Sequence, residues 1–180
     1  MGIEEKLEIM LREIGCESNK PFIHIKRSAD EWGSIFEDEY FIPIQKELLK
    51  RDFEFTEERE QEVNETIGEV LMASDINSCD YQKDLQVSYS AFIGTKGLAV
   101  HIKDEGNGFN YNMALQHAKN FKAANKEILN WMQEDGARTF YKQLGKVDGA
   151  PGLVLLLRFA QDFHYNTKGN EVIFKFDLKK

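Results

Sequence analysis

Residues 85–103 read LQVSYSAFIGTKGLAVHIK, two alternating apolar runs on either side of a glycine-bounded turn. Side chains along a strand point to opposite faces in turn. The first run therefore puts Leu85, Val87, Tyr89, Ala91 and Ile93 on one face and Gln86, Ser88 and Ser90 on the other. After GTKG at 94–97, Leu98, Val100 and Ile102 alternate with His101 and Lys103. Two such runs across a short Gly-containing turn predict a β-hairpin with one buried face. The C-terminal stretch FHYNTKGNEVIFKFDL, residues 163–178, repeats the arrangement: Thr167–Asn170 form the turn, and Val172, Phe174, Phe176 and Leu178 share a face. Both hairpins together predict a mostly antiparallel sheet covered on one face.

Helices are expected to provide the cover. In FTEEREQEVNETIGEVLMAS, residues 55–74, Thr56 is placed to cap a helix and Glu57 and Glu58 suit its positive end. Val63, Ile67, Val70 and Leu71 then recur at helical spacing. A second helical pattern runs over 111–135 through Leu115, Ala118, Phe121, Ile128 and Met132, and a short apolar third begins at Gly152. Residues 1–15 make a further amphipathic helix through Ile3, Leu7, Met10, Leu11 and Ile14. Helices, hairpin, helices, hairpin is the order of an α+β two-layer sandwich and not of a βαβ repeat.

Composition narrows the classes of function. A chain of 180 residues, 42% hydrophobic, is expected to form one domain, and three prolines with no low-complexity tract leave no linker. Acidic residues stand where a signal peptide would be basic, and no apolar run approaches the roughly 20 residues that span a bilayer. A cytoplasmic protein without membrane attachment is expected. Cys16 and Cys79 form no CxxC pair, so neither a disulfide framework nor a zinc site is indicated. With 23 basic against 31 acidic side chains the net charge is −8, which argues against nucleic acid as a partner. His24, His101, His117 and His164 are scattered without metal-ligand spacing, and no G-x-S-x-G motif is present.

The hairpin's second strand runs into DEGNG at 104–108, which has the spacing D-x-G-x-G. One reading is local: Asp104 caps a nearby amide while the glycines supply positive φ. An EF-hand loop is excluded because Gly106 stands at a ligand position and no glutamate occupies the twelfth place. Rossmann and P-loop spacings are absent as well.

A second reading comes from three segments taken together. GEVLMASDIN (68–77), VHIKDEGNGF (100–109) and GAPGLVLLLRFAQDFHYNTKGNEVIF (149–174) occur in the order of the N, G1 and G2 boxes of the histidine-kinase-like (GHKL) ATPases. The chain resembles that family, and within it the small bacterial anti-sigma-factor serine kinases, from about Phe22 to Leu178. Residues 1–20 then read as an N-terminal helical extension and 111–150 as a lid-like insertion over a nucleotide.

The resemblance implies ATP or ADP as the ligand. Asp104 takes the role of the G1 aspartate, which accepts a hydrogen bond from the exocyclic amine of adenine. Gly106 and Gly108 bring the backbone close to base and sugar, and Gly152 with Leu153 opens the G2 helix near phosphate. Glu69 takes the N-box glutamate's role as general base for a serine hydroxyl or water. The chain departs from the pattern at the magnesium-binding asparagine, four residues after Glu69, where Ala73 stands. A methyl group cannot ligate Mg²⁺, and Asn77, about 5 Å further along the helix, is the substitute within the same stretch. In G2 the expected G-x-G is Ala150-Pro151-Gly152, with Gly149 one place early. The implied function is a cytoplasmic, adenine-nucleotide-binding signalling protein acting on a partner protein, compatible with a homodimer and with serine kinase activity. The alternative is a catalytically silent interaction module on the same fold.

Overall fold

The computed structural model describes residues 2–29, 37–74, 82, 84–133 and 137–180. Five strands form one antiparallel sheet: β1 (Ile23–Ser28), β2 (Gln86–Ile93), β3 (Gly97–Asp104), β4 (Asp162–Tyr165) and β5 (Glu171–Asp177), in the spatial order β1-β2-β3-β5-β4. Both hairpins expected from the alternation are present. The register carries one row of side chains across every strand, from Ile25 through Tyr89, Ile102 and Val172 to Tyr165. Neighbouring rows on that face, Val87 and Val100 with Phe174 among them, are equally buried, so the alternation marks the core side.

On this face lie α2 (Ile42–Lys50, entered through a π-helical turn at Glu37–Phe41), α3 (Glu57–Met72), α4 (Tyr111–Asn120), α5 (Asn125–Gln133), α6 (Ala137–Leu144) and α7 (Ala150–Phe159). The α+β two-layer sandwich is thus realised. Thr56 caps α3 as its sequence position predicts, its hydroxyl accepting from the Arg59 N–H at 3.2 Å. Val63, Ile67, Val70 and Leu71 of α3 meet Leu153, Leu156 and Phe159 of α7 in the main core.

Three local features differ from the sequence expectation. The helical pattern over 111–135 is two helices, because the chain turns extended at Phe121, whose ring packs edge-on to Trp131 and Phe140. The third helix starts at Ala150 and not at Gly152: Gly149 holds the left-handed N-cap and Pro151, with its preset φ, fits the first turn. The N-terminal helix α1 (Ile3–Glu13) lies on the other side of the sheet, where Leu11 and Ile14 cover Phe92 and Ala99 while Ile3 and Met10 cover Ile173. It is held there by Lys6–Asp162 at 2.6 Å and Lys175–Glu13 at 3.1 Å. Its end docks on the GTKG turn through the Lys96 N–H, which donates to the Ile14 carbonyl at 2.8 Å. Among the described residues no helix is long and apolar enough to cross a membrane.

Candidate functional site

Glu69 projects from the fourth turn of α3, and its side chain is buried, 6% exposed. A carboxylate at that depth is costly unless hydrogen-bonded or neutral. Both compensations are in place. Tyr141 of α6 donates its hydroxyl to Glu69 Oε1. Burial pushes the Glu69 pKa up to about 7, against the opposing pull of the Tyr141 hydrogen bond and with a smaller upward push from Glu65 one turn back. Burial raises Glu65 too, and burial and Glu69 together raise the Tyr141 hydroxyl. A carboxyl group that titrates near neutrality is suited to take or give a proton at physiological pH.

Glu69 opens on a cavity of about 180 Å³. Met72 and Ala73 of α3 form one wall, Tyr141 and Gly145 another, and the loop Val147–Gly149 with Pro151 and Gly152 closes the third. The chain folds tightly here for two reasons. Gly149 sits at φ +76°, and at Gly152 a β-carbon would come within 3.4 Å of the Glu69 carbonyl oxygen, so α7 leaves its loop in close contact with α3. The glycine at 152 thus serves helix packing as well as any ligand. Among the described residues no lysine or arginine lines the cavity, and the charged groups are Glu69 and Asp148.

Asp104 lies elsewhere, at the end of β3, and is 2% exposed. Its Oδ1 accepts from the Gly106 N–H at 2.9 Å, and Gly108 adopts φ +72°, so the D-x-G-x-G stretch does form the capped turn of its local reading. The β4–β5 turn clamps this loop: the Asp104 N–H donates to the Asn170 carbonyl, Asn170 Nδ2 donates to the Asp104 carbonyl, both at 2.9 Å, and Lys168 Nζ donates to the Gly106 carbonyl at 2.6 Å. Gly108 passes directly beneath the Lys168 carbonyl, leaving no room for a side chain. Burial, with Tyr111 and Asp104 adding to it, raises the Tyr165 hydroxyl beside this loop.

Of the residues expected to act together, Glu69, Ala73 and Gly152 share the cavity. Asp104, Gly106 and Gly108 do not line it; they reach it through Phe109, whose ring packs on Gly149 and meets Tyr165 edge-on at 5.4 Å. Leu153 is fully buried beneath the cavity in the main core. Asn77 lies outside the described residues. The face of α3 that carries Glu65, Glu69 and Met72 is covered at Glu69 by Tyr141 of α6. Tyr141, which donates to Glu69 at the cavity, is the residue of this candidate site that sequence reasoning missed. Its signal was a phenol in the segment facing a half-apolar helix face that bears two glutamates.

Among the described residues the donor set does not fit Mg²⁺: Ala73 places a methyl group at the cavity wall, Glu69 Oε1 is engaged by Tyr141, and Asp148 is the other carboxylate, whereas Mg²⁺ needs octahedral oxygen ligands. No group of three or more His, Cys, Asp or Glu among the described residues could hold a metal ion. Two histidines have structural partners on the sheet: His24 Nδ1 pairs with Ser90 Oγ at 2.8 Å and His101 Nε2 with Glu171 at 3.0 Å. No protein-family model matches the chain, and no curated protein matches it either.

Proposed function

We propose that the protein is an adenine-nucleotide-binding signalling protein of the anti-sigma-factor serine-kinase type, acting inside the cell on a partner protein. The observation that supports this most is the pairing, in one cavity, of a buried Glu69 titrating near 7 with the glycine-bounded start of α7. A base and a turn of backbone amides are what phosphoryl chemistry asks of a protein once the nucleotide is positioned. Asp104, joined to that wall through Phe109, is the acceptor for the adenine amine. A carboxylate facing an exocyclic amine selects adenine over guanine, because a guanine oxygen would leave acceptors unpaired at a loss of about 1–3 kcal/mol.

At about 180 Å³ the cavity is smaller than the roughly 300–1,000 Å³ of typical ligand pockets, so in this closed form it takes a phosphate-sized fragment only. With Ala73 in place of a magnesium ligand, bound nucleotide is expected to turn over slowly or not at all. The same alanine favours a second reading, a silent interaction module that keeps the fold and has given up the ligand. Isothermal titration with ATP, ADP and GTP separates the two. ATP and ADP are expected to bind and GTP to remain silent; equal ATP and GTP curves overturn adenine selection, and no heat from any nucleotide leaves the interaction module.

A further inference from the structure

We propose that Tyr141 is a built-in occupant of the cleft: its phenol holds the place on Glu69 that a ligand hydroxyl or a water must take, so that α6 keeps the free protein shut. The inference rests on the nucleotide reading for the identity of the ligand, while the closure itself rests on geometry alone. Tyr141 Oη donates to Glu69 Oε1, and the phenol forms part of the cavity wall that it plugs. Among the described residues the rest of the wall is apolar side chain and backbone, apart from Asp148, which is exposed. An incoming hydroxyl that needs Glu69 Oε1 therefore competes with Tyr141 for it.

The local chain is built to let the phenol leave without unfolding the helix layer. Phe140, the preceding residue, is fully buried and packs edge-on to Phe121 at 5.9 Å, which anchors α6 to the core. Tyr141 itself is only partly buried. One turn later the helix ends at Gly145, whose N–H returns to the Tyr141 carbonyl at 2.7 Å, and Gly149 follows at φ +76°. Two glycines thus flank the loop that forms the opposite wall, with Phe140 as the fixed point. Withdrawal of Tyr141 and movement of residues 145–149 would enlarge the cavity between α3 and the start of α7, the direction in which a closed cavity must grow to take more than a phosphate-sized group. An affinity measured on the wild type is then lowered by the fraction of molecules that are open.

The test compares wild type with Tyr141→Phe, which keeps the ring and its packing and removes the donor. Hydrogen exchange on the ligand-free proteins is followed in α6 and α7, and both proteins are titrated with ATP. A hydrogen bond to a carboxylate is worth about 1.5–3 kcal/mol, or a factor of about ten or more. Tyr141→Phe is therefore expected to speed exchange at residues 141–144 by about tenfold or more, leave α7 unchanged, and tighten ATP binding by a comparable factor. Unchanged exchange in α6 overturns the closure whatever ATP does. Equal ATP affinity in the two proteins, with α6 loosened, overturns the competition. Faster α6 exchange with no ATP binding by either protein supports the closure and removes the nucleotide reading instead.

Discussion

The ring of Phe109 lies flat against Gly149, with its Cζ 2.6 Å from where a β-carbon would stand. This contact joins the loop after β3 to the N-cap of α7, two segments 40 positions apart in the chain, and so ties the D-x-G-x-G loop to the cavity wall. Gly149 is constrained twice, by the ring and by its φ of +76°. Gly149→Ala must shift Phe109 and accept a left-handed backbone, at a combined cost of about 2 kcal/mol or more. Urea denaturation is expected to show that loss, and Phe109→Ala in the same background to recover the part due to the clash. A variant as stable as wild type would mean that the loop relaxes freely.

Asp104 caps its own turn, and mutation can separate that task from the proposed one toward adenine. Asparagine keeps an oxygen to accept from the Gly106 N–H, so Asp104→Asn should cost well under about 1 kcal/mol of stability, whereas Asp104→Ala loses the cap and about 1–2 kcal/mol. If the carboxylate also receives the adenine amine, Asp104→Asn lowers ATP affinity by one to two decades, since a charge-assisted acceptor is worth about 1.5–3 kcal/mol. Unfolding curves report the first role and ATP titrations the second. Unaltered ATP affinity in Asp104→Asn confines this residue to its turn.

Glu69 makes stability depend on pH. Its folded pKa of about 7 lies above the ordinary value of 4.5, so between those limits the folded protein keeps a proton that the unfolded chain has released. Stability therefore falls as pH rises from about 4.5 to 7 and levels off above, once both states are ionised. A shift of this size corresponds to about 3 kcal/mol across the window. Glu69→Gln removes the titration while keeping an acceptor for Tyr141, so the variant should gain on wild type at pH 8 and lose the advantage at pH 5. The unfolding free energies of the two proteins at those pH values decide it, and a difference that stays constant with pH would place the Glu69 pKa near its ordinary value.

The sheet was legible in the sequence because burial on one face writes itself as alternation: Tyr89, Ile102 and Val172, read as inward-facing, share one row of the register. The cap at Thr56 was legible for a similar reason, since a helix start needs a local acceptor. Periodicity failed where a tertiary contact overrides it. The helical spacing over 111–135 does not mark Phe121 as the break, because its ring is held by contacts across the turn, on Trp131 and on Phe140. The side of the sheet on which α1 lies was equally hidden, although Phe92, Ala99 and Ile173 are apolar residues on an otherwise polar face and were the trace of it. For the site, the family resemblance put Glu69, Ala73 and Gly152 together, but a partner such as Tyr141, 72 positions from Glu69, is visible only in three dimensions.

Ala73 is where a nucleotide-holding protein and a nucleotide-turning one part. It lies one helical turn beyond Glu69, is 6% exposed and contributes to the cavity wall. A metal ion there would supply several kcal/mol of charge stabilisation to phosphoryl transfer, and its oxygen ligand is what the alanine lacks. Wild type is therefore expected to bind ATP with little dependence on Mg²⁺, through contacts to the base and to backbone amides. Ala73→Asn restores an oxygen on the same helical face, so ATP affinity in the variant should rise on adding Mg²⁺, and slow hydrolysis should appear. Adding Glu69→Gln should abolish the hydrolysis while leaving the Mg²⁺-dependent affinity, because the base is lost and the ligand kept. ATP affinity with and without Mg²⁺, and phosphate release, in the three proteins test this. Strong Mg²⁺-dependent binding by wild type would require a metal ligand other than residue 73, and Asn77 is the first position to mutate in that event.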